Sequence, residues 1–155
     1  MDTEEQVVEV QVRRMSQAAH RWSLPAYATS GAAGMDLRAC LDEPVELAPG
    51  QRRLIPTGIA IALPDARFVG LVFARSGLAA RHGVSLANGV GVIDSDYRGE
   101  IRCALVNGGS EPFTVRPGDR IAQLVVVPVA RVAWREVPEL ESSERGEGGF
   151  GSTGR

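Results

Sequence analysis

Apolar residues recur along this chain in short runs, with glycine, proline, aspartate or asparagine between them. Val7-Val-Glu-Val-Gln-Val12 alternates with period two, which predicts a strand turning one face to a core and one to water. The runs Arg53–Leu63, Arg67–Phe73, Glu100–Val106 and Ile121–Val127 are rich in β-branched and aliphatic residues and carry turn signals at their ends. Only Ser76–His82 reads as helix, and Gly83 is placed to stop it after two turns. Ala48-Pro-Gly-Gln51 and Arg116-Pro-Gly-Asp119 echo one another, each suiting a type II turn that feeds an apolar strand. Short strands at regular spacing argue for a sandwich, barrel or jelly roll.

The pattern changes near the C-terminus. From about Pro138 the apolar content collapses, dividing the chain into a body, residues 1–137, and an arm, residues 138–155. The arm ends in Arg145-Gly-Glu-Gly-Gly-Phe-Gly-Ser-Thr-Gly-Arg155, five glycines around a single ring, Phe150. Glycine lets backbone N–H groups close on phosphate oxygens, arginine neutralises those oxygens, and a lone ring can stack on a base. So glycine-rich a segment is expected to stay mobile until something binds it. A frayed linker and a nucleotide lid fit this segment equally.

Composition narrows the classes. A chain of 155 residues, 44% hydrophobic and 23% charged, is one domain able to bury a core without staples. A net charge of −2 offers no basic field for long nucleic acid, although a local arginine pocket for one nucleotide remains open. All 17 basic residues are arginine, which excludes Schiff-base chemistry and lysine-dependent phosphate loops. Cys40 and Cys103 read as buried free thiols, and zinc is disfavoured with only His20 and His82 beside them. The acidic start, Met1–Glu5, is unlike a signal peptide, and no apolar run has the length of a membrane span. A cytoplasmic protein that does not enter membranes is the expectation.

Four segments of the body have the look of site loops. Ala33-Gly-Met-Asp-Leu-Arg-Ala39 sets Asp36 among small and apolar neighbours, where a carboxylate often caps a turn. Ala74-Arg-Ser-Gly-Leu-Ala79 opens the helix with Arg75, Ser76 and Gly77; helix starts attract anions, but an ordinary Ser N-cap explains it as well. Asn88–Ile101 packs two aspartates, Tyr97 and three glycines into one expected hairpin. Asp94 and Asp96 share a strand parity unless a turn intervenes. Gly118-Asp-Arg-Ile-Ala-Gln-Leu124 sets a polar Gln123 inside an apolar strand.

Taken in order, AGMDL, ARSGLA, NGVGVIDSDYRGEI, GDRIAQL and RGEGGFGSTG closely resemble the five motifs of trimeric dUTPases. The resemblance spans Ala33 to Gly154, with Met35 standing where that family often has an aromatic residue. It implies an all-β, jelly-roll-like double sheet with one short helix and a flexible glycine-rich arm. It also implies a homotrimer with sites shared between subunits, and hydrolysis of dUTP to dUMP and pyrophosphate. Asp94 would be the catalytic base for the attacking water, a carboxylate being ionised at neutral pH and ready to take a proton. Arg75, Ser76, Gly77, Gln123, Arg145, Ser152 and Thr153 would hold phosphate oxygens. Asn88, backbone groups near Val92 and Ile93, and Arg102 would satisfy the uracil edge, while Tyr97 packs on the deoxyribose. Phe150, with Gly151, would close on the base. Mg²⁺ is expected on the triphosphate and water without a direct protein ligand, with Asp36 behind the metal's waters or the phosphate-binding groups.

Two rivals stay in view. A dCTP deaminase shares the fold and parts of these motifs, but resembles Asp-Pro-Gly-Trp where this chain has Asp94-Ser-Asp-Tyr97, and lacks the arm. A non-catalytic dUTPase-like regulatory protein would be expected to have lost Asp94 or the Phe150 lid.

Overall fold

In the computed structural model, residues 7–154 are described; the acidic start Met1–Glu5 and Arg155 lie outside the described residues. The elements in chain order are β1 (Gln11–Arg14), a 3₁₀ turn (Gln17–Arg21), β2 (Met35–Arg38), β3 (Val45–Leu47), β4 (Arg52–Pro56), β5 (Ile59–Ala62), β6 (Phe68–Ala74) and α1 (Ser76–His82). β7 (Val84–Leu86), β8 (Gly91–Ile93), β9 (Arg102–Asn107), β10 (Phe113–Val115) and β11 (Arg120–Pro128) follow. They form four antiparallel sheets ordered β1-β5, β10-β3, β2-β11-β6-β8 and β4-β9-β7. This is the expected jelly-roll-like all-β architecture with one short α-helix.

The core sits where the inward faces of these sheets meet. Along β9, Cys103, Leu105 and Asn107 are buried while Arg102 is exposed and Ala104 and Val106 only half-buried. Leu37 on β2, Leu47 on β3, Ile55 on β4 and Val115 on β10 belong to the same cluster. Burying side chains of this size contributes about 1.5–3 kcal/mol each. Among the described residues two polar side chains are buried. The Thr57 hydroxyl donates to the Ile101 carbonyl. Asn107 is wholly buried, and its amide donates to the Leu47 and Glu111 carbonyls and accepts from the Gly109 N–H.

Both Pro-Gly turns form as expected: Gly50 and Gly118 have φ of 78° and 83°, and the N–H groups of Gln51 and Asp119 donate to the Ala48 and Arg116 carbonyls. Helix α1 ends at Gly83, left-handed at φ 68°, whose N–H reaches the last turn. Other expectations need correction. Ser76 is the first helical residue and not the cap; Arg75 holds the cap position without a side-chain cap bond. The strand expected at Val7–Val12 begins only at Gln11, because its partner β5 extends no further than Ala62, opposite Gln11. The apolar run Arg53–Leu63 is broken at Gly58 (φ 77°), where the chain leaves the β4 sheet for the β5 sheet. The 3₁₀ turn Gln17–Arg21 was not anticipated. Cys103 is buried as expected, but Cys40 is only half-buried; both are free thiols.

Asn88–Ile101 is not a hairpin whose strands pair with one another. β8 pairs with β6, and β9 pairs with β4 and β7. Between them a turn, closed by the Tyr97 N–H on the Asp94 carbonyl (3.1 Å), breaks the shared parity of Asp94 and Asp96. The last strand ends at Pro128, and the described residues beyond it form neither strand nor helix. Among the described residues no helix is long and apolar enough to cross a membrane.

Candidate active site

The crossing from β8 to β9 shapes a cleft of about 570 Å³. Asn88, Val92, Ile93, Asp94, Tyr97 and Arg102 all line it. On β8, Val92 is exposed and Ile93 is buried, as alternation requires. Gly91 lies against Val72; a Cβ there would stand 3.1 Å from the Val72 Cβ. Gly89 has φ 73°, which turns the chain so that the Asn88 amide reaches the Val90 carbonyl (3.4 Å). The Tyr97 hydroxyl donates to the Glu100 carbonyl (3.0 Å), and its ring rests so closely on Gly99 that a Cβ there would collide with it. Tyr97 is thus clamped although half its surface is open. Asp94 is exposed, and Arg102 pairs loosely with Glu100 at 3.7 Å. Cys103 also lines the cleft, but burial pushes its thiol up to about 12, so it is protonated and inert at neutral pH.

A second group assembles on the four-stranded sheet. Asp36 on β2 lies opposite Gln123 on β11, which lies opposite Phe73 on β6, and Arg75 follows directly after β6. Arg75 Nε pairs with Asp36 Oδ1 at 2.9 Å, while Gln123 Nε2 donates to the Ala74 carbonyl at 3.1 Å. The first helix-related bond is Ala79 N–H to the Arg75 carbonyl, so the N–H groups of Ser76, Gly77 and Leu78 precede the helical ladder. Both Ser76 and Gly77 are exposed. Two residues that the sequence reading did not assign enter here. Arg120 Nη1 reaches Asp36 Oδ2 at 3.4 Å, and Gly34 lies beneath Gln123. Both fall within the quoted AGMDL and GDRIAQL segments, which were the signal available.

The arm joins neither group within one chain. Arg145, Phe150, Gly151, Ser152 and Thr153 line neither the cleft nor the Asp36 cluster. Its hydrogen bonds run within itself: Arg145 Nε to the Gly148 carbonyl (2.8 Å), and successive turns closed by the N–H groups of Gly148, Ser152 and Gly154. Phe150 is fully exposed and, among the described residues, is the one non-glycine residue at positive φ (51°). That backbone conformation is one L-residues seldom adopt.

The dUTPase family pattern matches residues 20–154. The chain belongs to the dUTPase family. A deoxyuridine 5'-triphosphate nucleotidohydrolase of Anaeromyxobacter sp. (strain Fw109-5) is 59% identical over 148 residues, covering 96% of this chain and 99% of that protein. The solved structure of a mutant Staphylococcus bacteriophage 80alpha dUTPase with dUpNHpp superposes with a TM-score of 0.84 at 28% identity, over 95% of this chain and 99% of that one. A mutant dUTPase of phage phi11 of S. aureus, described with a coordinated structural Mg(II) ion, has a TM-score of 0.75 at 26% identity, over 86% and 99%. Among the described residues no group of three or more His, Cys, Asp or Glu side chains is arranged to hold a metal ion.

Proposed function

We propose that this protein is a dUTP diphosphatase, hydrolysing dUTP to dUMP and pyrophosphate. The observation that carries the reading is the single cleft where Asp94 stands beside Asn88, Val92, Ile93, Tyr97 and Arg102. A carboxylate and a base-sized recess share one cavity, as water attack on a bound nucleotide requires. The family membership and the dUTP analogue named with the phage neighbour support the same substrate.

In this reading the uracil edge meets backbone groups of Val92 and Ile93 and the Asn88 amide. Unpaired polar groups would penalise cytosine, and the close backbone leaves no room for a thymine methyl. Tyr97, fixed by Glu100 and Gly99, packs on the deoxyribose and rejects a ribose 2′-OH. Asp94 takes the proton of the water attacking the α-phosphorus, and pyrophosphate leaves. Arg75, Ser76, Gly77 and Gln123 hold phosphate oxygens, with Asp36 steadying Arg75. Mg²⁺ would enter with the triphosphate as part of the substrate, where it would offset negative charge through oxygen and water ligands.

The two groups of residues and the arm are separate within one chain, which supports a shared site in a homotrimer. One subunit supplies Asp36, Arg75 and Gln123, a second supplies Asn88 to Tyr97, and the arm of a third brings Arg145, Phe150, Gly151, Ser152 and Thr153 to close over base and phosphates. The division into a body of residues 1–137 and a lid arm of residues 138–155 follows from that arrangement. In a cytoplasmic setting the reaction limits uracil in DNA and supplies dUMP for thymidylate synthesis. The test offers dUTP, dCTP, dTTP and UTP separately with Mg²⁺ and measures pyrophosphate. Release from dUTP alone is expected; ammonia from dCTP would favour the deaminase, and no reaction from an intact oligomer would favour a regulatory protein.

A further inference from the structure

The orientation of Arg120 depends on one irregularity in β11. Regular pairing, carried back from Gln123 opposite Asp36 and Ala122 opposite Leu37, would set Ile121 opposite Arg38 and Arg120 opposite Ala39. Ala39 is wholly buried, so that register would drive the Arg120 charge toward the core. Instead the register shifts between Arg120 and Ala122, and Arg120 lies opposite Arg38. Ile121 is the extra residue; it and Ala122 are both buried, and Arg120 is turned out beside Asp36. A bulge re-aims a side chain in this way. Two opposed arginines repel, and their guanidinium groups part: Arg38 Nη1 donates to the Gly118 carbonyl (2.9 Å), while Arg120 Nη1 turns to Asp36.

We propose that Arg120 is a positioning residue for the reaction, acting through Asp36 on Arg75. This rests on the dUTP-hydrolysis reading. Arg75 is gripped from two sides: Nε by Asp36 Oδ1 (2.9 Å) and Nη1 by the Arg120 carbonyl (3.3 Å). That leaves Nη2 for a phosphate oxygen. Asp36 alone would neutralise Arg75 and repel a triphosphate at short range. With Arg120 on its second oxygen, the carboxylate serves as a brace, and the three side chains keep one net positive charge. The bulge at Ile121 is therefore a built feature of the phosphate side of the site.

The test compares Arg120→Met, Arg120→Lys, Arg75→Met and the double Met variant by titration with dUpNHpp and with deoxyuridine. Arg120→Met is expected to weaken dUpNHpp binding roughly tenfold while deoxyuridine binding and Tm hold, because only the triphosphate meets Arg75. Arg120→Lys should recover part of the loss, since the charge on Asp36 returns. In the Arg75→Met background the second substitution should add less than about twofold. Unchanged dUpNHpp affinity in Arg120→Met would overturn the proposal. So would equal weakening of both ligands with a lowered Tm, or full additivity with Arg75→Met. These are binding measurements, so wild-type protein that binds dUpNHpp yet releases no pyrophosphate from dUTP would sink the hydrolase reading separately.

Discussion

Gly34 packs so closely on Gln123 that a Cβ on Gly34 would stand 2.9 Å from the Gln123 Oε1 and 3.3 Å from the Val125 side chain. The absence of a side chain at position 34 thus keeps the Gln123 amide on the Ala74 carbonyl, beside Arg75. Gly34→Val should displace that amide while leaving the core intact. We expect kcat/KM for dUTP to fall about tenfold or more, since small misplacements of positioning groups are costly. Steady-state kinetics beside an unchanged circular dichroism spectrum would check it; wild-type kinetics would remove Gln123 from the phosphate site.

Asp94 lines the nucleoside cleft and is exposed to the water it would activate. Asp94→Asn keeps the shape and removes the base. Turnover should drop by roughly 10²–10⁴ with dUpNHpp affinity retained. Undiminished turnover would assign the proton to another group.

The arm meets neither group of site residues in its own chain, so its deletion should spare folding and remove activity. Protein ending at Leu140 should keep its oligomeric state and Tm but turn over dUTP poorly. Mixing it with Asp94→Asn subunits should restore part of the activity, because a mixed trimer contains sites with both an intact base and an intact arm. Sedimentation and pyrophosphate assays on the mixture decide this; no recovery from verified mixed trimers would argue against shared sites.

Asn107 is wholly buried and satisfies three backbone groups, those of Leu47, Glu111 and Gly109. Asn107→Ala leaves them unpaired and opens a void. A loss of about 3 kcal/mol is expected, read from urea unfolding at one fixed protein concentration. A change below about 0.5 kcal/mol would mean that water replaces the amide.

The two thiols should differ in reactivity. Burial raises Cys103 to about 12 from an ordinary 9.0, and also raises the less buried Cys40. Because the folded value of Cys103 is raised, its contribution to stability is complete below about pH 9 and is lost as pH climbs toward about 12. At pH 8 a thiol reagent should modify Cys40 first and reach Cys103 only on unfolding, as peptide mass mapping would reveal. Equal labelling rates in the folded protein would contradict the burial of Cys103.

Features set by local chemistry were legible in the chain alone. Pro49-Gly50 and Pro117-Gly118 specify their turns through fixed and positive φ, and Gly83 ends α1 because it accepts the left-handed region. The ordered motif words carried the family and the candidate residues. Pairing at a distance was not legible there and came only with the folded chain. Arg53–Leu63 reads as one run, yet it serves two sheets, because the corner at Gly58 depends on where β1 and β9 lie. Asn88–Ile101 reads as a hairpin, yet β8 and β9 find separate partners. Arg120 was missed for the same reason. Period two assigns it to the core face, and one extra residue at Ile121 moves it to the site. A register shift of one residue exchanges the two faces of a strand, and nothing local to β11 records where its partner strand makes that shift.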